Sequence, residues 1–186
     1  MYPEPASNLP KREGRVSTEM KRIKGLIGLF GLIAVIAAAA SGQTPLATLG
    51  GSNVDIQGHR GKVVILALGA RWLPLSGKQA EYTNVLAKRY TGKDVVVYFV
   101  ATDSTSTKSK NFASNEDLEK FVAGSKLTVP VLRDSDGAAT LKKLGVDQLP
   151  TFVILDKQGN AAGTFGGIDP KFDITVPISK AVDKLL

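Results

Sequence analysis

An α/β fold, with a central mixed, mostly parallel sheet and helices on both faces, is predicted by three features of this 186-residue sequence. Two are the apolar runs VVILALGA (Val63–Ala70) and VVVYFVA (Val95–Ala101), continuous rather than alternating, as in strands covered on both faces. The third is the alternation of strand-like with helix-like stretches, which reads β-α-β-α-β-α-β-β-α. With 43% hydrophobic residues, 7 Phe, 4 Tyr and 1 Trp, the chain can build a real core.

Residues 1–40 read as a polar tail followed by an export segment. GLIGLFGLIAVIAAAA (Gly25–Ala40) follows Lys21, Arg22 and Lys24 and ends in small residues, with Ala38 and Ala40 in a small-x-small pattern. As a helix it would span about 24 Å, short against a hydrocarbon core of about 30 Å. It therefore reads as a signal peptide cleaved after Ala40, or as a short anchor with the domain outside. The first 19 residues are long and polar for such a signal, and Met20 would begin a complete one, so Met20 is a candidate for the true start. The predicted location is periplasmic, extracellular or membrane-anchored.

Residues 41–53, with their Gly, Ser, Thr and Pro, read as a linker, and residues 54–186 as one domain. VDIQ (Val54–Gln57) is a candidate edge strand before the turn Gly58–Gly61. After the run Val63–Ala70, a helix is predicted from about Leu75 to Tyr90, with Pro74 at or before its first turn, where a missing N–H costs nothing. The run Val95–Ala101 leads into a polar loop, Asp103–Lys110. Asn115 is a candidate N-cap for a helix from Glu116 to about Ala123. Val129–Leu132 reads as a short strand and Ala138–Leu144 as a short helix ended by Gly145. Thr151–Asp156, the turn Lys157–Asn160 and Ala161–Phe165 read as a hairpin, and Ile174–Leu186 as a closing helix.

GKVVILALGARWLPLS (Gly61–Ser76) and LGVDQLPTFVILDKQGNAAGTFGG (Leu144–Gly167) together resemble two signatures of the thioredoxin-like superfamily. The likeness is to its exported or membrane-anchored bacterial thiol–disulfide members, which grade into peroxiredoxin-like proteins. The family's redox motif is Trp-Cys-x-x-Cys at a helix start. Here the corresponding residues are Trp72, Leu73, Pro74, Leu75 and Ser76, with Leu73 in place of the attacking cysteine and Ser76 in place of the resolving one. Pro150 matches the family's cis-proline beside that motif. The resemblance implies that the backbone at Leu149 could pair with an extended peptide, so Leu149, Pro150 and Trp72 are candidate peptide-binding residues.

The chain contains no cysteine. Exchange needs a thiolate to attack sulfur and pass through a mixed disulfide, so the resemblance carries the fold and withholds the reaction. No disulfide reductase or peroxidase activity can come from this chain's own side chains, and no catalytic residue is assigned. Ser76 would need a base nearby to act as a nucleophile. The single histidine, His59, reads as an exposed turn residue, and Arg71 as a solvated one.

The formal charge is +7. Residues 1–40 hold six of the 24 basic and three of the 17 acidic residues, leaving the rest at +4. Those charges are scattered, without a dense basic run, so no nucleic-acid partner is expected. One histidine and no cysteine leave no metal-ligand pattern, and Asp134-Ser135-Asp136-Gly137 reads as a turn. No glycine-rich phosphate loop follows a strand. No cofactor is expected, and a membrane is engaged only through an uncleaved N-terminal segment. The leading expectation is a redox-inactive thioredoxin-like domain that binds or positions a protein or peptide partner. The alternatives are an enzyme with non-redox chemistry in the same cleft, or a structural domain of an envelope complex.

Overall fold

Every side chain of the run VVILALG is buried, and its residues divide alternately between two cores. Val63, Ile65 and Ala67 point into one and Val64, Leu66 and Leu68 into the other, as a period of two requires of a strand covered on both faces. A computed structural model describes residues 45–186 of the chain. The tail, the export segment and Met20 lie outside the described residues.

The elements are β1 (Pro45–Thr48), β2 (Asn53–Asp55), β3 (Val63–Gly69), α1 (Ser76–Arg89), β4 (Val95–Ala101), α2 (Asn115–Gly124), β5 (Val131–Arg133), β6 (Thr151–Leu155), β7 (Ala161–Gly166) and α3 (Thr175–Asp183). They form one seven-stranded sheet in the order β2-β1-β5-β4-β3-β6-β7. β1 lies within the stretch read as a linker. It enters the sheet by pairing with β5, with Ala47 opposite Arg133.

The expectation of a mostly parallel sheet is overturned. Among the described residues, β3–β4 and β4–β5 are the parallel strand pairs, whereas β1–β2, β1–β5, β3–β6 and β6–β7 are antiparallel. The reason lies in the connections. α1 and α2 carry the chain back along the sheet, so the strands they join run the same way. The segment 134–150 does not travel that length, since Thr151 starts β6 opposite Leu68, near the end of β3. β6 therefore runs back against β3, and the tight turn after Leu155 makes β7 antiparallel in turn.

Helical cover is also less even than expected. Side chains of α1 (Ala80, Leu86), α2 (Leu118) and α3 (Ile178, Val182) all join the core containing Ile65, Phe99 and Phe152. The other core, around Leu66, Val100 and Val153, is covered by Leu144, Val146 and the partly buried Leu141 and Leu149. These lie in a run of turns rather than the predicted helix Ala138–Leu144. Asp134, 4% exposed, organises that run. Its carboxylate accepts from the Ala139 N–H at 2.8 Å, the Thr140 N–H at 2.8 Å and the Thr140 hydroxyl at 2.5 Å.

The N-cap of α2 is Ser114, one residue before the predicted one. Its hydroxyl accepts from the Asp117 N–H, and the Asp117 carboxylate accepts from the Ser114 N–H, a reciprocal pair that satisfies two orphan donors. Asn115 instead bridges, donating to Leu49 O at 3.0 Å and accepting from Arg133 Nη1 at 2.8 Å.

His59 is half-buried rather than an exposed turn residue, with Nε2 3.0 Å from the Tyr98 hydroxyl. Burial, and then the charge of Lys62, hold its pKa below the ordinary 6.5, against the pull of Asp55. The unfolded chain therefore takes up this proton first on acidification. The His59 contribution to stability should be complete above about pH 6.5 and be lost as pH falls through the lower folded value. Urea midpoints measured from pH 8 to 5 should fall through this range, and His59→Gln should remove that part of the slope. An unchanged slope in the variant would refute the assignment.

Candidate functional site

β3 ends at Gly69, and the chain must turn from strand into α1 across residues 70–75. Hydrogen bonds to the carbonyls of Gly69, Ala70, Leu73 and Leu75 fasten this turn. Gly69 O accepts from the Thr102 N–H at 2.7 Å and its hydroxyl at 3.0 Å. Ala70 O accepts from the Leu73 N–H at 3.1 Å and from the Ser76 hydroxyl. Leu73 O accepts from the Ser76 N–H at 3.1 Å, and Leu75 O from the Gln79 N–H at 2.9 Å. Trp72, 49% exposed, and Pro74 face solvent, Leu73 and Leu75 are half-buried, and Ser76 is buried.

Ser76 thus spends its hydroxyl proton on a backbone carbonyl, while His59 is engaged with Tyr98 of the core around Leu66. That geometry gives no support to a Ser76 nucleophile with His59 as its base.

Gln79 joins this turn to the segment around Pro150, a role the sequence reading missed. It is fully buried, and its Nε2 donates to Leu68 O at 3.0 Å and to Thr151 O at 3.3 Å. The amide therefore ties the first turn of α1 to the end of β3 and to the residue following Pro150. Gly69 leaves room for it, since an added Cβ would stand 2.1 Å from Gln79 Oε1. The Leu149–Pro150 peptide is cis, as the resemblance implied. Pro150 is buried, and Leu149 is half-buried against the second core. Among the described residues, neither the N–H nor the carbonyl of Leu149 has a backbone hydrogen-bond partner.

Arg71 is not simply solvated. Its N–H donates to Asp103 Oδ2 at 3.0 Å, its Nη2 donates to Phe112 O at 3.0 Å, and its Nε lies 3.9 Å from Asp103 Oδ1. Asp103 appeared in the sequence only as the start of a polar loop, yet it is fully buried two residues beyond β4. Burial raises its pKa, against the Arg71 N–H bond and the Arg71 and Arg133 charges. The one signal in the sequence was an acid placed almost directly after an unbroken apolar strand. Asp134 and Asp136 serve the turns after β5, Asp136 accepting from the Ser104 hydroxyl at 3.0 Å. Among the described residues, no group of three or more His, Asp or Glu side chains is arranged to hold a metal ion.

A family model described as Redoxin matches residues 34–182. The chain belongs to the redoxin family. Its fold is thioredoxin-like, and it is related to bacterial thiol–disulfide proteins. This redoxin is 31% identical over 123 residues to the thiol-disulfide oxidoreductases ResA of Bacillus thuringiensis subsp. konkukian and Bacillus cereus, over 66% of its own length. It spans 65% of the length of those relatives. Among solved structures it is similar to a secreted Mycobacterium tuberculosis disulfide oxidoreductase, at 22% identity and a TM-score of 0.60, covering 77% of this chain and 96% of that one. It is also similar to the exposed lipoprotein thioredoxin Etrx1 of Streptococcus pneumoniae, at 27% identity and a TM-score of 0.59, covering 76% and 98%. This redoxin has no cysteine, so no side chain of its own can exchange disulfides or reduce peroxides through a thiolate.

Proposed function

We propose that this redoxin works outside the cytoplasm as a docking domain. It would bind a protein or peptide partner across Trp72, Leu73 and Pro74 and the backbone at Leu149–Pro150. The segment Trp72–Ser76 is, in this reading, the family's redox motif without its sulfurs. The observation that carries the proposal is the combination of a hydrogen-bonded turn presenting Trp72 with a backbone at Leu149 that is unpaired among the described residues, the two linked through Gln79. A rigid aromatic anchor loses little entropy on binding, and a free backbone N–H and carbonyl can pair with an extended segment. An exported location is supported by the secreted and surface-exposed proteins it is similar to, and by the basic and apolar segment before Ala40.

The test is selection of binding peptides from a random display library against the full chain. Expected are extended peptides whose affinity falls at least roughly tenfold, about 1.4 kcal/mol, in a folded Trp72→Ala variant. Peptides that bind the variant as tightly as the natural chain would refute this surface.

A further inference from the structure

We propose that Asp103 is the positioning residue of the Trp72 surface, a proton-sensitive anchor that holds the turn through Arg71 while ionised and loosens it when neutral. The proposal deepens the docking role and rests on that reading for its consequence, because it concerns how the same surface is regulated.

Asp103 is poorly satisfied for a buried carboxylate. Oδ2 accepts a bond from the Arg71 N–H, whereas Oδ1 has no hydrogen-bond partner among the described residues. The charged groups that face it are Arg71, from the turn before α1, and Arg133, from the end of β5. They are held differently. Arg133 is fastened to the start of α2, donating from Nη1 to Asn115 Oδ1 and from Nη2 to Ala113 O, each at 2.8 Å. The Arg71 side chain is 37% exposed and is secured by Asp103 and by one bond to Phe112 O. Neutralising Asp103 therefore removes the charge attraction from the more exposed arginine, which directly precedes Trp72. Asp117, on α2, also feels the charge of Arg71. Its own pKa is lowered chiefly by the Ser114 N–H and hydroxyl, so it stays ionised when Asp103 takes up its proton. Burial disfavours the charged form of Asp103 and raises its pKa above the ordinary aspartate value.

Trp72 is the only tryptophan of the chain and reports on its own surface. The experiment follows its fluorescence emission from pH 7.5 to about 3.5, with circular dichroism confirming the fold at each step. It uses the full chain carrying His59→Gln, so that the histidine does not contribute. A shift in emission is expected with a midpoint above the ordinary aspartate value of 3.8. Asp103→Asn should abolish it. Arg71→Gln keeps the backbone N–H but removes the positive charge that favours ionised Asp103, so it should raise the midpoint by about 1 in pH. A flat emission profile, a transition surviving in Asp103→Asn, or an unmoved midpoint in Arg71→Gln would overturn the proposal. Should Asp103→Asn not fold, the Arg71→Gln midpoint decides alone. No peptide is present, so this outcome is independent of the display selection. A normal titration beside Trp72-independent peptides would refute the docking surface and leave the anchor standing.

Discussion

The purified full-length chain, supplied with dithiothreitol, will reduce neither insulin disulfides nor hydrogen peroxide faster than the reductant does alone. The Leu73→Cys, Ser76→Cys double variant will reduce insulin catalytically, with a rate at least on the order of tenfold above that background. The first half follows from chemistry, because leucine and serine cannot form a mixed disulfide. The second follows from the geometry of the turn. The Ser76 N–H donates to Leu73 O at 3.1 Å, so residues 73 and 76 close a four-residue turn. Such a turn brings its end Cα atoms within about 7 Å, the upper range that a disulfide can bridge. A thiol at the start of α1 would also have its thiolate favoured by the helix dipole. Turnover by the natural chain would refute the redox-inactive assignment. A folded but silent double variant would show that Leu73 and Ser76 do not stand in exchange geometry.

The largest stability loss from a single polar change outside this turn is expected at Asp134. Asp134→Ala should cost about 3 kcal/mol, read from the midpoint of urea denaturation. The change removes three hydrogen bonds to a buried carboxylate and leaves the Ala139 and Thr140 N–H groups without that acceptor. Asp134→Asn keeps the shape and one acceptor oxygen, so it should cost roughly half as much. Loss of Asp134 should also expose the second core, because the turns it organises carry Leu141 and Leu144 over that face. Greater binding of a hydrophobic dye by Asp134→Ala than by Asp134→Asn would report this opening. Equal midpoints for the natural chain and the alanine variant would show that the turns stand without the carboxylate.

The elements read most accurately from the sequence were those defined by local pattern. Val63–Gly69 and Val95–Ala101 are unbroken apolar runs, and only burial on both faces suits such a run. The β6–β7 hairpin announced itself through Asp156-Lys157-Gln158-Gly159-Asn160, where Gly159 takes a positive φ of 83° and Asp156 accepts from the Gln158 and Asn160 N–H groups. The direction of β6 was not legible, because a strand's side-chain pattern is the same whichever way it runs. β1 was hidden for a related reason. PLAT has little strand character of its own and becomes a strand through pairing with β2 and β5.

At the candidate site the division falls between composition and contact. The sequence by itself determined what this protein cannot do, since the absence of cysteine removes thiolate chemistry whatever the fold. It also located the turn Trp72–Ser76 and the Leu149–Pro150 peptide, because both lie inside short local signatures. Only the tertiary structure decided that Gln79 binds the two together, that Arg71 is held by a buried Asp103, and that the Ser76 hydroxyl is committed to Ala70 O. Gln79 and Thr151 are 72 positions apart, and Arg71 and Asp103 are 32 apart. Whether a polar side chain is buried and which atoms satisfy it depends on such distant neighbours, and no periodicity along the chain encodes them.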